Sequence, residues 1–201
     1  MIESLEDAWK WYHAVRSLAF DMRRLATKWD DPVLGEVLGR DNRFRELTAA
    51  DLHDRAKTIL EDINPLAVLV LFSVFEVTVR DRARADVDRE TLALRHPALM
   101  RAVQDLRESI ENGSFGRVLE SYKVIDVDLT TQVNQVRKYR NWVAHGRRGK
   151  QPENLVEPDS AMDRLRRYLE EIERSTSIVL PQEALREQSP DRDPHQAAPG
   201  G

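Results

Sequence analysis

An all-α fold, an up-and-down helical bundle of four core helices with short extra ones, is the class this sequence predicts, and three observations predict it. Eight Gly and nine Pro among 201 residues leave a body rich in Ala, Leu, Arg, Glu and Val, which are largely helix formers. Apolar residues recur every three or four positions over long stretches, the period of an amphipathic helix. The chain has no strand-length run of β-branched residues, no internal repeat and no glycine-rich phosphate loop. With 41% hydrophobic and 33% charged residues, it suits one domain with a sizeable core. That domain is expected over residues 1–178, its core over 65–175.

The first helix is expected over 4–29, packing on the core, because Leu5, Trp9, Tyr12, Val15, Ala19 and Met22 recur at helical intervals and Asp30-Asp31-Pro32 ends the pattern. Trp9, Tyr12 and Trp29 follow the apolar period and so read as core or dimer-face residues, although aromatics can also stack on bases. Residues 31–47 read as a polar connection. Thr48-Ala49-Ala50-Asp51 resembles a capping box and opens a helix to about Asp62, after which Asn64-Pro65 reads as the cap and first residue of a new one. That next segment, Pro65 to about Asp88, is the most apolar and should be the centre of the bundle. Pro97 to Glu111 follows, stopped by Asn112-Gly113, then a short segment from Ser114 to about Lys123. Asp128 precedes a helix from Leu129 to His145, with Gly146 as a left-handed cap. A last helix runs from about Pro158 to Ser175 through Met162, Leu165, Leu169 and Ile172. Residues 181–201 lack apolar periodicity and are expected to be a disordered tail.

Cysteine is absent, so disulfides and thiolate metal sites are excluded, and the five histidines are scattered at 13, 53, 96, 145 and 195. No metal and no other cofactor is expected, and His13, His53, His96 and His195 read as incidental. The longest apolar run, Leu66 to Phe72, is too short to span a bilayer, and no basic-then-apolar leader opens the chain. A soluble cytoplasmic protein without membrane contact is the expectation. Net charge is −4, yet Thr130 to Gln151 holds six Arg or Lys residues and no Asp or Glu. Such a run is either a solvated face or an electrostatic footprint for nucleic acid.

Two helices break their apolar stripe with a charge. Leu129, Val133, Val136 and Val143 share a face whose missing member is Arg140; Leu69, Phe72, Val79 and Ala83 share another whose missing member is Glu76. An unpaired charge in an apolar seam costs several kcal/mol, so the two are expected to answer each other across the interior, with Arg80 one turn further on as support. A purely structural ion pair would leave the same pattern.

Around these positions the chain resembles the HEPN superfamily (higher eukaryotes and prokaryotes nucleotide-binding), whose hallmark is Arg, four to six residues, then His, commonly with a polar residue after the Arg. Arg140-Asn141 through His145 matches the four-residue version. Val133 to Tyr139 and Gly146-Arg147-Arg148 look like the flanks of that motif helix, and Phe75 to Arg80 looks like the acidic position on an earlier helix. The resemblance covers about residues 65 to 175. It implies a HEPN-like homodimer in which two motif helices form one cleft and act as a metal-independent endoribonuclease, in many cases a toxin or phage-defence effector held by an antitoxin or other regulatory protein. In other branches a tyrosine two residues after the histidine is modified by a partner nucleotidyltransferase. Arg147 stands there in this sequence, which argues against that regulation.

Metal-free cleavage needs the ribose 2′-hydroxyl to attack the adjacent phosphate, so it needs a proton carrier that works near neutrality and a fixed cation for the extra charge. By hypothesis His145 is the general base or acid, a role worth about 10²–10⁴ in rate, and Arg140 stabilises the developing charge. The last turn of a helix, where the dipole favours a cation, suits His145 to acid catalysis. Products would be a 2′,3′-cyclic phosphate and a 5′-hydroxyl. Five residues at about 100° each put Arg140 and His145 roughly 140° apart, whereas Arg137, Asn141 and His145 form one row, so a dimer is expected to complete the cleft. Asn141 is assigned to orienting His145 or a phosphate, Glu76 to holding Arg140, and Arg137, Lys138, Arg147 and Arg148 to binding RNA. The rival reading is a catalytically silent dimer that binds nucleotide, RNA or a protein. A helix-turn-helix DNA binder fits less well, because the basic residues cluster at a helix end.

Overall fold

The structure, a computed structural model, describes residues 2–39, 47–122 and 125–177. Among them are seven helices and no strand: α1 (Leu5–Thr27), α2 (Pro32–Gly39), α3 (Ala49–Thr91), α4 (Pro97–Asn112), α5 (Phe115–Ser121), α6 (Val127–Ala144) and α7 (Pro158–Ser177). The expected tail, 181–201, lies outside the described residues.

Local signals start most helices. Ser4 Oγ accepts from the Asp7 N–H at 3.1 Å at the head of α1. At α3 the expected box is complete, with Asp51 N–H donating to Thr48 Oγ1 at 3.1 Å and Thr48 N–H to Asp51 Oδ2 at 2.8 Å, which satisfies donors the first turn would orphan. His96, expected to be incidental, caps α4 by accepting from the Ala98 N–H at 3.3 Å. The motif helix begins two residues earlier than expected, because Asp126 and not Asp128 takes the first free amides, Asp128 N–H at 2.7 Å and Leu129 N–H at 3.0 Å. The connection expected over 31–47 contains α2, opened by Asp31 Oδ1 accepting from the Val33 N–H at 2.9 Å. Pro32 at its first position suits a helix start.

The larger correction is α3, which runs without a break through Pro65 where a new helix was expected. Proline removes one backbone donor and commonly breaks a helix, but the flanking residues are held from three sides. Ile63 and Ala67 are buried with Tyr12 of α1. Asn64 does not cap; it accepts from the Tyr12 hydroxyl at 2.9 Å and donates to Glu157 at 3.1 Å. Arg147 reaches Asp62 at 3.6 Å.

α3 is the axis of the bundle, packed against α1, α4, α5, α6 and α7. By length and composition alone it could cross a membrane; in this fold its apolar face is the core. Val68, Leu71, Phe72, Phe75 and Val79 are buried with Leu119 of α5, Val133 and Val136 of α6, and Leu165, Tyr168 and Ile172 of α7. The seams expected from heptad spacing hold at Phe72, Val79, Val133 and Val136 but not at the two charges. Phe75 is fully buried and Glu76 flanks it; on α6 Tyr139 continues the buried face and Arg140 lies beside it. Neighbouring residues on a helix point about 100° apart, so burying Phe75 and Tyr139 carries Glu76 and Arg140 to the flank of the core face. The two charges therefore stand at the edge of the core, not within it.

Candidate functional site

Glu76 and Arg140 do meet, at that edge and in company. Glu76 Oε1 accepts from Arg80 at 2.8 Å (Nη2) and 3.2 Å (Nε), and its Oε2 lies 3.9 Å from Arg140 Nη2. Arg80 is thus the closer partner of Glu76. It also donates to the carbonyls of Ile110 and of Gly113, the latter at 3.0 Å, so it closes the C-terminal end of α4 and lies over the Phe115 ring, 5.4 Å from its centroid. Arg140 lies over the Phe72 ring at 5.8 Å and donates to Asn141 Oδ1 at 3.2 Å, while its buried Nε has no partner. The side chains of Glu76, Arg80 and Arg140 are 23%, 19% and 28% exposed. An arginine is tolerated on the core side because its flat face covers an aromatic ring and its fork reaches a carboxylate, both favourable where water is scarce.

His145 ends α6. Its N–H donates to the Asn141 carbonyl at 3.0 Å, and Gly146 follows at φ 69° with its own N–H on the Val143 carbonyl at 2.9 Å, the left-handed stop expected there. Arg147 also has positive φ, 58°, a conformation non-glycine residues seldom adopt; its N–H on the Trp142 carbonyl at 2.9 Å and its guanidinium near Asp62 hold it there. The His145 side chain is exposed. No hydrogen bond or ring contact joins it to Arg140 among the described residues: Arg140 lies against Phe72 and Glu76, while His145 is exposed beyond the last turn.

The four basic candidates part company. Arg137 is half-buried, with Nε on Asn134 Oδ1 at 3.1 Å, and Arg147 is tied to Asp62. Lys138 and Arg148 are exposed. Arg137, Lys138 and Asn141 line a groove of about 830 Å³ with Gly116 and Glu120 of α5, further residues of α6 and the loop from Lys150 to Asn154. Arg140 and His145 do not line it. The sequence assigned roles in this groove only to Arg137, Lys138 and Asn141, and not to Asn134, Gln135, Trp142, Lys150, Glu120 or Glu153, which also line it; the Asn134-Gln135 pair one to two turns before the motif was the available signal. Among the described residues no cluster of three His, Asp or Glu could hold a metal ion.

No protein-family model, characterised protein sequence or solved structure matches this chain.

Proposed function

We propose that the chain is a metal-independent endoribonuclease of the HEPN kind, acting as a homodimer, with Arg140 as the cation for the phosphorane and His145 as the proton carrier. The observation that carries the reading is the Glu76–Arg140–Asn141 relay at the end of α6. A carboxylate 3.9 Å away and an amide at 3.2 Å aim a guanidinium that is only 28% exposed. Preorganised charge of this kind is effective because little reorganisation is left for the transition state. His145, exposed at the cap one residue before the left-handed turn, has the access to solvent and substrate that a general acid or base requires. A second copy of α6 supplies the histidine that the 140° offset keeps from Arg140 within one chain. A toxin or phage-defence role, and restraint by an antitoxin, belong to the same reading.

One observation favours a silent binding module: Arg140 is committed to Phe72, Glu76 and Asn141, as a structural residue would be. Both readings are tested by cleavage of pooled RNA in excess EDTA by wild type, Arg140→Lys and His145→Ala, with the new ends assayed and folding followed by circular dichroism. The enzyme predicts cyclic-phosphate ends and a loss of about 10²-fold or more in each variant. Absence of cutting by a folded wild type would leave the binding module.

A further inference from the structure

The groove beside α6 has a chemistry that Arg140 and His145 do not use. Three of its lining residues are amides of α6, Asn134, Gln135 and Asn141. Each has its carbonyl oxygen on an arginine: Asn134 on Arg137 Nε at 3.1 Å, Gln135 on Arg164 Nη1 at 3.1 Å, Asn141 on Arg140 Nη1 at 3.2 Å. A guanidinium has donors and no acceptor, so the amide oxygen must face it and the NH₂ must turn the other way. Three NH₂ groups, each with two N–H donors, are thereby turned from their arginines on residues that line the groove. Trp142 lines it too, although its Nε1–H is buried and out of a ligand's reach. Lys138 and Lys150 add cations.

Such a wall suits an anion rich in acceptors, above all the phosphates of a nucleic acid, which with the sugars take about half or more of protein–DNA hydrogen bonds. Two carboxylates, Glu120 and Glu153, also line the groove. They would repel a bare phosphate but accept from the exocyclic amines of cytosine, adenine or guanine. Donors for phosphates and acceptors for base edges together fit a polynucleotide strand. We propose that this groove binds a single-stranded RNA segment, its phosphates on the α6 amides and lysines and its base edges toward Glu120 and Glu153. The choice of RNA rests on the ribonuclease reading, and the groove gives that enzyme a strand-holding surface beside its motif.

The test is fluorescence anisotropy with a short labelled 2′-O-methyl RNA, which lacks the attacking hydroxyl and survives as a probe. The double variant Asn134→Asp/Gln135→Glu keeps the oxygens that Arg137 and Arg164 hold, so the fold is retained, and exchanges an NH₂ for an anionic acceptor on the groove side. It should bind about 10-fold or more weakly. Lys150→Gln should lower the salt slope of log affinity by about 1, and Gln104→Glu, the same charge change on α4, should do nothing. Failure of the wild type to bind, equal binding by the groove variants, or ATP or inorganic phosphate binding as tightly as the RNA would each overturn the proposal. The two readings fail separately. Groove-dependent binding without cutting in EDTA removes the ribonuclease and leaves the groove; wild-type cutting rates in the groove variants remove the groove and leave the ribonuclease.

Discussion

At Arg140 and Glu76 the balance of charge decides what each substitution does. Glu76 serves two guanidiniums, Arg80 at 2.8 Å and Arg140 at 3.9 Å. Removing it as Glu76→Ala leaves two half-buried cations facing each other, and urea denaturation should show a loss of about 2–3 kcal/mol. Arg140→Met is the unequal counterpart. The carboxylate keeps its nearer partner Arg80, the methionine stem still covers Phe72, and the orphaned Nε is removed, so stability should stay within about 1 kcal/mol of wild type or rise. Loss of cleavage in a protein that stable would separate a catalytic arginine from a structural one. Spacing alone pointed to this pair. It did not reveal that Arg80 is the nearer partner, that Asn141 is held by Arg140 or Asn134 by Arg137, because spacing along a helix offers each side chain several partners without choosing among them, nor that Gln135 is held by Arg164 of another helix, a pairing that leaves no periodic trace in the chain.

Among the elements, α3 departs furthest from local expectation. Asn64-Pro65 has the form of a helix start, and the sequence rule fails there because Tyr12, Glu157 and Arg147 grip the neighbouring turn from α1 and from the segments flanking the α6–α7 loop. Packing outweighs one lost backbone bond and the clash of the proline ring, together worth about 3 kcal/mol in an unsupported helix. Pro65→Ala should therefore stabilise the protein, by about 1–2 kcal/mol after allowing for the looser unfolded chain that alanine creates. An unchanged or lowered melting temperature would show that the ring is itself a necessary packing element. Elsewhere the local code suffices: the capping box at Thr48, the stop at Gly146 and the proline opening α4 are short-range features, legible because the groups that satisfy them lie within four residues.

The whole molecule converges on the buried face of α3, and the tyrosines of the core report on its integrity. Tyr168 of α7 is fully buried, its ring 5.7 Å from Phe75 and its hydroxyl donating to the Leu119 carbonyl at 3.3 Å. Burial pushes its phenol up to about 12 from the ordinary 10.0, and burial, followed by the Asp86 carboxylate, also raises Tyr122. Both folded-state values lie above the unfolded one, so the stabilisation from neutral phenols is fully present below pH 10 and is lost as pH rises through 10 toward 12. Unfolding followed by tyrosinate absorbance should thus be cooperative in that window, and Tyr168→Phe should move it upward; titration near 10 with the helices intact would contradict the burial. The residue period, the composition and the caps by themselves determined that this chain is a helical bundle and where most of its helices start and stop, since each depends on neighbours within a turn or two. Only the tertiary structure decided that α3 is continuous, that Tyr139 and not Arg140 faces the core, and that Asn134, Gln135 and Asn141 line one groove with Glu120 and the 150–154 loop. The reason is physical: which face a helix buries, and which polar groups find partners across helices, is set by residues far apart in the chain, such as Gln135 and Arg164, 29 apart, or Arg80 and Gly113, 33 apart, and chain-local energetics carry no information about them.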